Sequence, residues 1–340
     1  MSPLRSIVAA AVAACAGGAL ASPAAPLPAL GADAGHTSVS GLSSGAFMAV
    51  QLQVAFSKSI VGSGVVAGGP YYCAANNVLF TGICMGQVPF MAPNPLLMAG
   101  AAKQFAEEGR IDPLDNLQGR RVYVFSGTED AVVRPPAVEA TADFFRRVGV
   151  RGGNLAFVND VPAGHALITT AFGNDCAANA APYISHCTVK DRRYDQAGAV
   201  LSHIYGELKP PVEEPKGTLV DFNQRDFADD MSGLGDTGYL YVPKSCTRGR
   251  THCRVHVAIH GCEQGAESVG DKFYRHTGYN EWADSNELLV LYPQVVKSII
   301  PANPKGCWDW WGYTGAAYAD KGSPQMQAIM KMVERLTQRP

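Results

Sequence analysis

Ser40-Gly41-Leu42-Ser43-Ser44-Gly45-Ala46-Phe47-Met48 carries the pattern G-x-S-x-G with Ser43 at its centre. A short strand-like run at 37–40 precedes it, and a helical stretch at 46–57, read as amphipathic, follows. This is the sequence form of a nucleophile elbow, a sharp strand-to-helix turn that lifts a serine hydroxyl out of a sheet. Gly41 and Gly45 suit such a turn because side chains there would collide across it. A serine hydroxyl is a weak nucleophile until a base takes its proton, so the motif calls for a histidine held by a carboxylate.

The acid is expected first. Val122-Tyr123-Val124-Phe125-Ser126-Gly127-Thr128-Glu129-Asp130 reads as a buried strand ending in a small-residue loop, and Asp130 follows that loop where Glu129 reads as a solvated neighbour. After a further helix and strand comes Val161-Pro162-Ala163-Gly164-His165. The resulting order Ser43, Asp130, His165 is that of α/β-hydrolases. The competing histidines, His36, His186, His203, His252, His256 and His276, do not stand one helix and one strand beyond the acid. His260 opens His260-Gly261-Cys262-Glu263-Gln264, which has the form of the loop that lends a backbone N–H to an oxyanion hole; its side chain reads as structural.

Strand-like runs recur at 37–40, 61–67, 121–126, 155–159, 218–222, 239–242, 254–260 and 288–292. Helical stretches at 46–57, 97–108, 136–148, 194–205, 274–286 and 325–336 alternate with many of them. Such alternation implies an α/β fold on a mostly parallel sheet flanked by helices. The His-Gly loop ordinarily precedes the nucleophile, yet here it follows His165 by 95 residues. Circular permutation resolves this: the first half supplies the nucleophile strand and its successors, and the second half supplies strands that usually come earlier. The one seam is KPPVEEPK at 209–216. A two-domain reading would leave neither half with a complete sheet.

The chain has 340 residues, and its first 21 read as a secretory leader: Arg5, an apolar run from Ile7, then the small-x-small site Ala19-Leu20-Ala21. A rival reading takes Val12-Ala13-Ala14-Cys15 as a lipid-attachment box that lacks its usual leucine. Residues 22–340 are expected to form a single catalytic domain with no transmembrane helix and no separate substrate-binding module. Charged residues make up only 17%, and 28 basic against 30 acidic residues leave a net charge of −2 with no basic run. That excludes the electrostatic footprint of a nucleic-acid binder and suits a neutral, apolar or insoluble partner. Without Cys15 the cysteines number eight, an even set that fits an oxidising compartment. Neighbours in sequence suggest Cys73–Cys84, Cys176–Cys187 and Cys246–Cys253, leaving Cys262 with Cys307, although spacing alone leaves the connectivity open. The spacings match no zinc pattern, and neither a metal nor an organic cofactor is expected.

The chain resembles the single-domain extracellular poly(3-hydroxybutyrate) depolymerases, which are circularly permuted α/β-hydrolases. The resemblance rests on GLSSGAFMAVQLQVAFS (41–57), VAGGPYYCA (66–74), APYISHCTVKDRRYDQAGA (181–199), DTGYLYVPKSC (236–246), HVAIHGCEQ (256–264), TGYNEWAD (277–284), LLVLYPQ (288–294) and GCWDWWGY (306–313). It implies Ser43 as nucleophile, His165 as base then acid, Asp130 as its orienting carboxylate, the N–H groups of Ser44 and Cys262 as oxyanion donors, and Trp310 in the substrate crevice. A Cys262–Cys307 bridge would tie the oxyanion loop to the tryptophan loop. The expected substrate is an insoluble polyester met by a monomer, with Phe47, Tyr71, Tyr72, Phe90, Trp308, Trp310, Trp311 and Tyr313 as candidates for adsorption, about half of them expected at the surface and the rest in the core. The alternative is an esterase removing feruloyl or acetyl groups from polysaccharides. The segment between Gln294 and Gly306 is shorter than the family's usual loop, which bears on the width of the crevice mouth.

Overall fold

The computed structural model describes residues 24–247 and 253–340. The leader, the lipid-box reading and His252 lie outside them. Eight strands form the main sheet: β1 (Thr37–Leu42), β2 (Ile60–Val66), β3 (Arg121–Gly127), β4 (Leu155–Val161), β5 (Thr218–Asn223), β6 (Thr237–Val242), β7 (Arg254–Ile259) and β8 (Leu288–Tyr292). Their order is β5-β6-β8-β7-β1-β2-β3-β4. From β8 through to β4 neighbouring strands run parallel, and β6 joins β8 and β5 antiparallel. Strand β8, Leu288–Tyr292, is a continuous apolar run, wholly buried, as a parallel strand covered on both faces requires, and β1 is buried along its length although its sequence is half polar.

The principal helices are α1 (Ser44–Ala55), α2 (Pro95–Glu107), α3 (Pro135–Arg147), α4 (Gln196–Tyr205), α5 (Tyr279–Asn286) and α6 (Pro324–Thr337). Helix α1 packs on β1, β2 and β7, α3 on β3 and β4, α4 on β2 and β3, and α5 on β8 and β6. The two halves of the sheet meet where β1 pairs with β7, in the register Thr37↔Val255 to Gly41↔Ile259. Just before β1, Gly31 donates its N–H to the Gln338 carbonyl at 2.8 Å, so the end of α6 adjoins the start of the nucleophile strand. The end of α6 thus lies beside the approach to β1, the adjacency a permuted order demands.

Two sequence expectations change. Helix α1 is not amphipathic: every residue in it is buried, and the amides of Gln51 and Gln53 donate to the carbonyls of Asp309, Tyr318 and Ile60. The expected helix at 274–286 breaks into Lys272–His276 and α5, where Gly278 takes a φ of 88°. A small sheet of Leu167–Thr169, Asn174–Asp175 and Ile184–His186 stands beside the main one; its strands are too short to show a period of two.

Two histidines lie in this core. His256 sits between the hydroxyls of Ser38 (2.7 Å) and Ser40 (2.8 Å), and burial lowers its pKa from 6.5 to about 3. Burial likewise lowers His260 to about 4, the hydrogen bond to the Gly261 carbonyl opposing it. Both are neutral in the fold but gain a proton in the unfolded chain below about pH 6.5. The unfolded state then binds more protons, so stability is full above pH 6.5 and falls as the pH drops through the window down to about 4. Urea midpoints should therefore decline between pH 6.5 and 5, above the ordinary carboxylate range; a flat profile there would contradict it.

Candidate active site

Ser43 has φ 57° and ψ −123° between β1 and α1. A non-glycine residue there is strained by on the order of 1–3 kcal/mol, and the surroundings hold it in place. Its N–H donates to the Val66 carbonyl at 3.0 Å, and its carbonyl accepts from Ala46 and Phe47. The turn is pressed against the end of β7: a Cβ on Gly45 would lie 2.5 Å from the His260 carbonyl oxygen and nearer still to that of Ile259, and one on Gly41 would strike Gly45. Backbone approach this close needs glycine at both positions. Gly45→Ala should destabilise the chain by about 1–3 kcal/mol or more and displace Ser43, seen as a lowered urea midpoint together with loss of Ser43 labelling by a fluorophosphonate. Unchanged values of both would contradict this packing.

Asp130 follows β3, and His165 follows β4. His165 Nδ1 and Asp130 Oδ2 lie 2.8 Å apart, both side chains buried. The other carboxylate oxygen accepts the N–H groups of Val132 (2.8 Å) and Val133 (2.9 Å). With Asp130 so fixed, the imidazole donates from Nδ1 and leaves Nε2 free to accept a proton.

Parallel pairing of β7 with β1 brings the 260–264 loop beside Ser43. The His260 ring donates from Nδ1 to the Gly261 carbonyl (2.7 Å) and accepts the Val295 N–H at Nε2 (3.1 Å). Gln264 accepts the Gly261 N–H and donates to the Pro182 and Tyr183 carbonyls. Among the described residues, neither the Ser44 nor the Cys262 N–H has an acceptor, which leaves both donors available. Cys262 is bridged to Cys307, and the other bridges are Cys73–Cys84, Cys176–Cys187 and Cys246–Cys253.

Ser43, His165, Cys262, Cys307 and Trp310 line one cavity of about 390 Å³. Trp310 stacks on Phe47 with ring centroids 4.2 Å apart. The loop that carries it is tied by Asp309, whose carboxylate accepts the N–H groups of Trp311, Gly312, Tyr313 and Thr314 and the Thr314 hydroxyl. Burial pushes the Asp309 carboxyl above its usual range, opposed by those hydrogen bonds. The cavity walls also include Tyr183, Val78, Thr81, Met85, Val132 and Val133, with the Glu263–Lys305 ion pair (3.2 Å) among the lining residues. None of these was singled out in the sequence, since apolar lining residues on loops follow no spacing rule.

The aromatic adsorption candidates need correction. Phe47, Tyr71, Trp308 and Trp310 are buried, and Tyr72, Trp311 and Tyr313 are half-buried. Phe90 alone is fully exposed. The buried rings complete the core: Tyr71, for example, donates its hydroxyl to the Ala319 carbonyl. The exposed apolar side chains are mostly aliphatic instead: Val78, Leu79, Leu96, Leu97, Ile299 and Ile300, with Met91.

Sheet order, strand–turn–helix serine and helical cover define an α/β-hydrolase-type fold. No protein-family model matches the chain. It is 44% identical over 316 residues to the poly(3-hydroxybutyrate) depolymerase of Delftia acidovorans, an alignment covering 92% of this chain and 61% of that protein. The chain thus spans less than two thirds of that relative's length. It is 36% identical over 324 residues to the polyhydroxybutyrate depolymerase of Talaromyces funiculosus, covering 91% of this chain and 92% of that one. Among solved structures, the PHB depolymerase from Penicillium funiculosum superimposes with a TM-score of 0.81 at 35% identity, covering 92% of this chain and 98% of that one. A PHB depolymerase complexed with an R3HB trimer gives a TM-score of 0.82 at the same identity and coverage. The chain belongs to the poly(3-hydroxybutyrate) depolymerase family.

Proposed function

We propose that the chain is a secreted serine esterase that cleaves the ester bonds of poly(3-hydroxybutyrate) or related polyhydroxyalkanoates. The observation that carries this reading is the convergence of Ser43, on its strained turn, and the His165–Asp130 pair on one apolar cavity walled by Trp310. Relatives named for this polymer and a family structure complexed with an R3HB trimer support the substrate class.

Ser43 Oγ attacks the ester carbonyl carbon while His165 Nε2 takes its proton, and Asp130 stabilises the imidazolium that forms. The tetrahedral oxyanion is held by the Ser44 and Cys262 N–H groups, each such donor contributing about 10²–10³ in rate. Collapse breaks the bond to the leaving alkoxide oxygen, which receives the proton from His165. Water then attacks the acyl-serine with His165 again as base, releasing the hydroxy acid and the Ser43 hydroxyl.

The apolar side chains of Val78, Leu79, Phe80, Phe90, Met91, Leu96 and Leu97 stand exposed on the segment that also supplies Val78, Thr81 and Met85 to the cavity. Exposed apolar groups concentrated in one segment suit an interaction surface, and an insoluble polyester is the partner we assign to it, met by a monomer. Four disulfides fit an oxidising compartment, and no helix among the described residues is long and apolar enough to cross a membrane.

Purified mature protein should clear a poly(3-hydroxybutyrate) suspension, and Ser43→Ala should lose that clearing and at least about 10⁴-fold in soluble-ester kcat. Leu79→Ser combined with Leu97→Ser should slow clearing while leaving soluble-ester kcat/KM unchanged. Cleavage of soluble or feruloyl esters without clearing would overturn the polymer assignment in favour of a polysaccharide-linked esterase.

A further inference from the structure

Asp130 and His165 stand on separate loops, and between their side chains runs one hydrogen bond of 2.8 Å. The Glu129 N–H on the Ala163 carbonyl, 3.1 Å, joins the two loops ahead of both residues, and beside Asp130 and at His165 itself they are joined again by Asn179. Its Oδ1 accepts the backbone N–H of Ala131 at 2.9 Å and that of His165 at 2.9 Å. Its Nδ2 donates to the carbonyls of Glu129 at 3.0 Å and Ala177 at 3.1 Å. The amide makes four hydrogen bonds, its full complement of two donors and two acceptor sites. Two N–H partners on one side and two carbonyls on the other also fix which way it points. The peptide groups it holds flank Asp130 on both sides and include the backbone of His165 itself.

The segment that presents Asn179 is anchored in turn. Cys176 is bridged to Cys187, and its carbonyl accepts the Gly164 N–H at 2.8 Å. Backbone contact there is close enough that a Cβ on Gly164 would fall 2.6 Å from the Ala177 carbonyl oxygen. The loop thus presents Asn179 from a braced position. Asn179 is not among the residues lining the catalytic cavity, and its amide is spent on main-chain partners.

We propose that Asn179 is a positioning residue, setting the distance and angle between Asp130 and His165 and, through them, the rate of proton transfer from Ser43. This rests on the Ser43–His165–Asp130 reading above. No other side chain fits the four partners equally. Aspartate would face the Glu129 and Ala177 carbonyls with an oxygen in place of an N–H, and alanine would leave all four groups without the amide. A small misplacement of a catalytic pair costs on the order of 10²-fold, whereas a residue that only staples a surface loop would alter stability and leave the chemistry alone.

The test compares wild type, Asn179→Ala, Asn179→Asp and Ser43→Ala on a soluble short-chain ester at a temperature where urea titration shows each chain folded. Both Asn179 variants should lose about 10- to 100-fold in kcat with KM unchanged within about twofold. The far-downfield proton resonance of the His165–Asp130 hydrogen bond should weaken or vanish in them. Wild-type kcat with that resonance intact in either folded variant, or a fall in activity that only tracks the folded fraction, would overturn the proposal while Ser43→Ala remained inactive. Activity surviving in Ser43→Ala would overturn the triad reading and this inference with it.

Discussion

Everything at the site depends on one strained residue, Ser43 at φ 57°, held where β1 turns into α1. The strain persists because backbone crowds the turn on every side. Gly41 and Gly45 touch across it, the Ile259 and His260 carbonyls press on Gly45, and the Ser43 N–H is taken by Val66. Helix α1, buried along its whole length and tied by Gln51 and Gln53 to neighbouring backbone, gives the turn a rigid abutment. The hydroxyl is thus presented at the carboxyl end of the central strand with little freedom to relax.

The route of the chain follows from the same place. On one side of β1 the parallel succession β1-β2-β3-β4 delivers Asp130 and His165 in chain order from the ends of β3 and β4. Pairing with β7 on the other side delivers the Cys262 loop, although it comes 95 residues after His165. Strand adjacency, not sequence proximity, decides which loops meet at a sheet's carboxyl edge. The Cys262–Cys307 bridge and the Asp309 hydrogen bonds then fasten the Trp310 loop across the cavity.

Legibility in the sequence tracked how local each feature is. Strands such as β3, β7 and β8 show as apolar-rich runs, and the G-x-S-x-G turn is written in consecutive positions, so both could be read directly. The alternation that implied a mostly parallel sheet was legible for the same reason. The two- and three-residue strands between Leu167 and His186 have too few positions to display alternation. Full burial of α1 was hidden because the carbonyls that let Gln51 and Gln53 be buried are known only from the fold. The tertiary burial of Tyr71 and Trp308 likewise overrode the expectation of exposed aromatics. Asn179 left no trace, since a loop amide that binds main-chain atoms needs no partner of any particular residue type.

The most direct test of Ser43 as the covalent centre is to trap its acyl intermediate. A slowly deacylating hydroxybutyrate ester would be mixed with the protein, quenched in acid within the first turnover, digested, and its peptides weighed. A hydroxybutyryl group on the peptide that contains Ser43, absent when Asp130 or His165 is replaced, is the expected result. Turnover with no acylated peptide, or acylation at a different residue, would contradict the covalent role assigned to the strained serine.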